Sequence, residues 1–237
     1  MLKKLIMTSI CIGVIVGCAD AQTTSDAQST VGADRISIAS HQVRFSDIPA
    51  FAQLYRSVAV PVMENLVEEG MITGFGIWMH NTGGKYNLRW HITGMEGVNF
   101  EQAWTEIISG MGSVDPEGLE AFNRSVLAHK DETWNLGERN VESPGDAAYV
   151  YENLFKVNRA DLPEWNELWS EVLPALDGAI TEGLMRGYVV EEHNLGGEFN
   201  WKLVVFFDDW DVIDDSQAFF FENIPLDHPI WAMASTH

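Results

Sequence analysis

The residues able to do chemistry in this chain come in two matching sets. HNTGGKYN at His80–Asn87 returns as HNLGGEFN at His193–Asn200. Each octet reads as a hairpin, with Gly-Gly supplying the positive φ that a tight turn requires. Trp78, Arg89 and His91 flank the first octet, and Glu191 and Lys202 lie in or beside the second. Alternate residues of a strand share a face. Trp78, His80, Asn87, Arg89 and His91 therefore belong to one surface, and Glu191, His193, Asn200 and Lys202 to its counterpart. His80, His193 and Glu191 are the candidate catalytic groups. Imidazole titrates near neutrality, and a glutamate whose pKa is raised by burial becomes a base. Trp78, Asn87, Arg89, His91, Asn200 and Lys202 are the candidate ligand-binding groups, the two cations being suited to an enolate or a carboxylate. A plainer reading stands beside this one. Each His and Asn can bond within its own hairpin, and Arg89 and Lys202 can pair with Glu191 and Glu192.

Other chemistries find little support. No HxH, HExxH or CxxC spacing occurs, so no metal site is expected, and no cofactor is expected. The paired glycines are turn residues, and neither GxSxG nor a P-loop pattern is present. His129-Lys130-Asp131-Glu132 reads as the solvated end of a helix. The two copies differ at Trp78 against Glu191 and at His91 against Val204. Such asymmetry suits a single site, and neutral drift equally.

The elements that position these residues also repeat. Apolar segments at Arg35–Val43 and Tyr149–Val157 have the length of strands. Helices follow, with Asp47 and Asp161 as expected N-caps and Pro49 and Pro163 in the first turn. Phe51, Leu54, Tyr55, Val58, Val62 and Leu66 form one buried stripe, and Trp165, Leu168, Trp169, Val172, Leu176 and Ile180 form its counterpart. Pro61 and Pro174 predict a shared kink, or a helix restarted there. Gly70 and Gly183 read as C-terminal caps. Strands are expected at 75–80 and 188–193, returning at 85–92 and 198–207. Helical patterns follow at 100–109, 116–128 and 214–223, and no fourth strand can be placed in either copy. The modules span 35–142 and 143–237.

The order strand–helix–strand–strand–helix is that of a ferredoxin-like α+β module. With the DIP and DLP helix starts, the glycine caps and the HNxGG hairpins, the chain resembles the dimeric α-β barrel superfamily in fused, tandem form. That resemblance implies two tandem ferredoxin-like modules closing into one pseudo-dimeric barrel whose lumen is a possible ligand site. The superfamily includes cofactor-free monooxygenases, lactone isomerases, haem enzymes and proteins of unknown role, so the fold alone selects no activity.

The first residues supply an address. Lys3 and Lys4 precede an apolar run from Leu5 to Val16, too short for a good membrane span and typical of a signal peptide over 1–21. Ile15-Val16-Gly17-Cys18 resembles a bacterial lipobox, with Cys18 the lipidated residue. Ala19-Asp20-Ala21 offers ordinary cleavage instead. Residues 22–34 read as a flexible tether. Both cysteines lie in the signal region, so the folded part holds no disulfide. Net charge is −21, and becomes −23 once the two signal lysines are removed. Such a surface repels phosphate backbones, which excludes nucleic acid as an expected partner and leaves the lipid anchor as the only expected membrane contact. The expectation is an exported, periplasmic or cell-envelope protein, a monomeric pseudo-dimer or a homodimer. It binds a small molecule in the lumen, with cofactor-independent acid–base or monooxygenase-like chemistry as one extension. The alternative is a non-catalytic envelope scaffold.

Overall fold

The computed structural model describes residues 13–16, 33–80, 85–141 and 147–236. Cys18, the cleavage sites and most of the tether lie outside the described residues. Strand β1 (Gly13–Val16) lies within the segment read as an export signal. The first half of the fold then runs β2 (Arg35–Val43), α1 (Ile48–Leu54), α2 (Val60–Glu68), β3 (Gly74–His80), β4 (Leu88–Gly94), α3 (Phe100–Val114), α4 (Pro116–Ser125) and β5 (Val126–Asn140). The second runs β6 (Tyr149–Val157), α5 (Leu162–Thr181), β7 (Gly187–Leu195), β8 (Trp201–Phe207), α6 (Val212–Asn223), α7 (Ile230–Met233) and β9 (Ala234–Thr236).

Among the described residues the strands join one sheet in the order β1-β3-β4-β2-β5-β7-β8-β6-β9, and neighbouring strands are antiparallel. The first half contributes β5-β2-β4-β3 and the second β9-β6-β8-β7, the same arrangement of corresponding strands. β5 joins β7 at one seam. At the other, β1 pairs with both β3 and β6, so the sheet curls until its ends meet. Short β9 holds only the Phe155–Val157 end of β6, and β1 holds the Tyr149–Glu152 end.

Two helical layers cover the outside of the curl, each over its own core. In the first half Leu88, Trp90 and Ile92 meet Phe51, Met63, Ala103, Ile107 and Met111. In the second, Trp201, Leu203 and Val205 meet Trp165, Trp169, Val172 and Leu176. The helix ends close alike. Gly70 (φ 72°) and Gly183 (φ 73°) take the left-handed conformation. Gly70 N–H donates to Val67 O and Met71 N–H to Leu66 O, matched by Gly183 to Ile180 and Leu184 to Ala179. These paired bonds satisfy carbonyls that the helix leaves open.

Three expectations need correction. Asp47 and Asp161 occupy the N-cap positions, but neither side chain makes a capping bond. Asp47 accepts from Arg44 instead, at 2.8 Å. The prolines do not share one arrangement, for a new helix starts around Pro61, in the first turn of α2, and none starts at Pro174. A π-turn at Tyr55–Ala59 precedes Pro61 and widens the helix there, whereas α5 runs unbroken through Pro174. The sequence His129–Glu132 is not a helix end. It lies in β5, the fourth strand of the first half, where His129 and Asp131 face out and Lys130 and Glu132 share the inward face of fully buried Trp134.

Candidate functional site

Strand alternation sends one face of every strand into the lumen of the curled sheet. Arg89 and His91 on β4 enter from one side, and Glu152 on β6, Glu191 on β7 and Lys202 on β8 from the other. Lys202 is 1% exposed, Glu191 3% and Glu152 8%. Lys202 Nζ lies 2.6 Å from Glu191 Oε2 and 3.4 Å from Glu152 Oε1. The Arg89 guanidinium pairs with the other oxygen of Glu152. Two cations thus face two carboxylates in a cluster that crosses from one half to the other. Lys202 also lies 4.8 Å from the centre of the Trp134 ring, a cation–π contact that again joins the halves.

The charges tune one another. Burial alone raises the Glu152 carboxyl, but Arg89 and Lys202 outweigh it and hold its pKa at about 2. Burial lowers the Lys202 ammonium, but Glu191 and Glu152 outweigh that and raise it. At Glu191 burial wins over Lys202, so its pKa is raised. His91 stacks on Trp78 with centroids 4.1 Å apart. Its ring occupies the space over Gly76, where a Cβ would come within 2.3 Å of Cε1. Burial, with help from Lys202 and against Glu152, holds His91 at about 3, so the ring is neutral near pH 7. His193 packs edge-on against Trp134 at 5.2 Å, and burial lowers its pKa.

The remaining expected site residues lie elsewhere or do other work. The Asn87 amide accepts from Val43 N–H at 2.9 Å and donates to Val43 O at 2.8 Å. Asn200 makes the same pair with Val157, both bonds at 2.8 Å. Each asparagine pins the first strand of its own half. His80 ends β3, and its side chain lies outside the described residues, as does the first Gly-Gly turn. In the second turn Gly196 and Gly197 have φ of 82° and 75°. A Cβ on Gly196 would come within 2.3 Å of the Asp131 carbonyl, so this hairpin lies directly against β5. Sequence reasoning missed Glu152 and Trp134. Glu152 is a charge flanked on its β6 face by apolar Val150 and Leu154, and that setting is the signal that would have found it. Among the described residues no group of three or more His, Cys, Asp and Glu is placed to hold a metal ion.

Side chains fill much of the lumen, and open space lies on the other side of the sheet. A cavity of about 130 Å³ opens between the outer face of β6 and β8 and the helices of the second half. Tyr151, Phe155, Leu203 and Val205 form its floor, Trp165, Trp169, Val172 and Leu176 one wall, and Phe220, Phe221, Ile230 and Trp231 the cover. The volume follows from the helices. In the first half α3 and α4 deliver Ala103, Ile107, Met111 and Phe122 to the corresponding layer. In the second, α6 buries only Ile213 and Ser216, and α7 only Ile230. The aromatic wall is rigid. Trp169 stacks on Trp201 at 4.3 Å, and Trp165 stands edge-on to Trp201 at 5.4 Å.

No protein-family model and no curated protein matches the chain. Solved structures do match in fold. A "putative monooxygenase" from Fusobacterium nucleatum has a TM-score of 0.59 at 9% identity, over 87% of this chain and 90% of its own. A "putative monooxygenase" from Lactobacillus acidophilus has a TM-score of 0.56 at 11% identity, over 86% of this chain and 91% of its own. A heme-binding protein from Thermus thermophilus has a TM-score of 0.51 at 12% identity, over 86% and 88%. With the curled antiparallel sheet, these likenesses establish the fold as that of the dimeric α-β barrels.

Haem does not fit the cavity. The lining offers neither histidine nor cysteine as an axial ligand, and the hydroxyl of Tyr151 is 3.2 Å from Gln217 Nε2 in a hydrogen bond. A space of this volume is close to that of an engineered cavity that holds one benzene, about 150 Å³, and not to that of a tetrapyrrole.

Proposed function

We propose that the chain is an exported, lipid-anchored protein that binds a small molecule, built from two fused copies of one ferredoxin-like module. The duplication is supported by the matching strand orders, the paired glycine caps and the two asparagine clamps. Export and a lipid at Cys18 are supported by the basic start, the apolar run and the lipobox-like Ile15–Cys18, and cleavage there would remove β1 from the seam between β3 and β6. Binding rests on one observation above the others, the unfilled aromatic cavity under α5, α6 and α7. Protein interiors are otherwise close-packed, and an apolar hollow with a few polar groups is the usual form of a small-molecule site. The lining carries no carboxylate, imidazole, ammonium or thiol, so it is equipped to bind and not to transfer protons. This favours a binding role over acid–base or oxygenase-type chemistry there.

A second reading keeps the ligand in the lumen. Arg89 Nε, His91 Nδ1, Trp134 Nε1 and His193 Nε2 are buried without a protein hydrogen-bond partner. Buried polar atoms normally find a partner, so this reading assigns them a small polar guest that enters only when the lumen side chains shift, since these atoms are closed off as packed.

Native mass spectrometry of the mature domain from its own host, before and after denaturation, tests binding. The expected result is a small mass lost on denaturation. A clean apo mass, unchanged when host extract is added back, would favour the scaffold alternative.

A further inference from the structure

The cavity has a chemical polarity that narrows its ligand. Its walls are aromatic and aliphatic, but Asn153, Ser216 and Gln217 also line it. Ser216 is 4% exposed and lines the cavity. Among the described residues neither its hydroxyl nor the Asn153 amide has a hydrogen-bond partner, and neither is among the polar atoms shut off from all open space. Both residues line the cavity. A buried hydroxyl facing an aromatic hollow is a recognition group, because leaving it unpaired costs more than pairing it gains. Gln217 is steadied by Tyr151, so the polar lining is partly preorganised.

Size and charge set two further limits. About 130 Å³ accommodates one six-membered ring with a small substituent. The lining holds no ionised group, and the chain carries a net charge of −21. An anionic ligand would meet repulsion on approach and no counter-charge on arrival.

We propose that the cavity takes a neutral, single-ring aromatic molecule bearing one hydroxyl or carbonyl group. The ring lies among Trp169, Leu176 and Phe220, and the polar group reaches Ser216 and Asn153. This rests on the reading of the cavity as the binding site and adds the ligand class to it.

Calorimetric titration of the full chain with p-cresol, toluene and p-toluate tests the class. p-Cresol is expected to bind roughly tenfold more tightly than toluene, the effect of about one net hydrogen bond, and p-toluate is expected not to bind. Ser216→Ala with Asn153→Leu should erase the preference for p-cresol and leave toluene affinity within about twofold. Equal affinity for p-cresol and toluene in the unaltered protein would overturn the proposed class and leave the cavity as a binding site. So would binding of p-toluate as tight as that of p-cresol. Absence of binding by all three would overturn the class and the cavity reading together. A preference that survives the double substitution would overturn the assignment of Ser216 and Asn153.

Discussion

Lys202→Ala is expected to destabilise the protein by about 3–5 kcal/mol, a fall in melting temperature of roughly 10 °C for a chain of this size. The reason is the company Lys202 keeps. Removing one ammonium leaves Glu191 and Glu152 buried together, 3% and 8% exposed, with only the Arg89 guanidinium nearby. An uncompensated buried charge is far more costly than the net stabilisation a complete ion pair supplies. The companion variant Lys202→Met with Glu191→Leu removes a cation and an anion together and keeps the Arg89–Glu152 pair. It is expected to recover most of the loss, because apolar replacement of a whole buried pair is often neutral or better. Urea unfolding of both variants reads the difference. A cost below about 1 kcal/mol for Lys202→Ala is what surface ion pairs give, and it would mean that water reaches the cluster freely.

Acid is expected to unfold the protein through histidines before the carboxylates matter. His41 sits against Trp90 and Phe122 and stacks on His129 at 4.6 Å. Burial, with the adjacent His129, holds its pKa at about 4. His91 is held at about 3. Unfolded, both return to the ordinary imidazole value of 6.5. Between pH 6.5 and the folded values the unfolded chain therefore takes up protons that the folded chain refuses. Stability is fully present above pH 6.5 and is lost as pH falls, by about 1.4 kcal/mol for each unit of pKa separation at each site. Glu152 extends the loss below pH 4.5, toward its folded value of about 2. Glu191 acts in the opposite sense. Its pKa is raised in the fold, so its contribution is present at low pH and fades as pH rises through the folded value. Urea midpoints at pH 7, 5.5 and 4 are expected to fall steadily, and His41→Phe should flatten the slope. A flat profile down to pH 4 would mean that His41 and His91 are both solvated.

The repeat was the most legible property of the chain because it is written in turn chemistry. Glycines forced to positive φ at 70, 183, 196 and 197, and asparagines tying strand ends at 87 and 200, act locally, and local requirements survive in sequence. The inward and outward faces of the hairpin strands were legible too, because Leu88, Trp90 and Ile92 keep strict alternation. β5 was not. Each of its faces carries an ion pair, His129 with Asp131 on the outer face and Lys130 with Glu132 on the face of Trp134, and these present a charged run in place of an alternating strand. Glu152 was missed because its partners arrive from β4 and β8, far away in the chain. The cavity was the least legible feature. It arises because α6 and α7 supply too little volume over a broad aromatic floor, a shortfall between distant elements that no spacing in either one announces.

The most direct test of the account is a crystal of the mature domain pressurised with xenon. Apolar cavities of this size take up xenon without rearrangement. A xenon atom is expected among Trp169, Leu176 and Phe220, beneath α6 and α7. Xenon confined to the lumen beside Trp78 and Trp134, or a second half packed without space for it, would contradict the claim that this protein keeps its binding site under the helices of its second half.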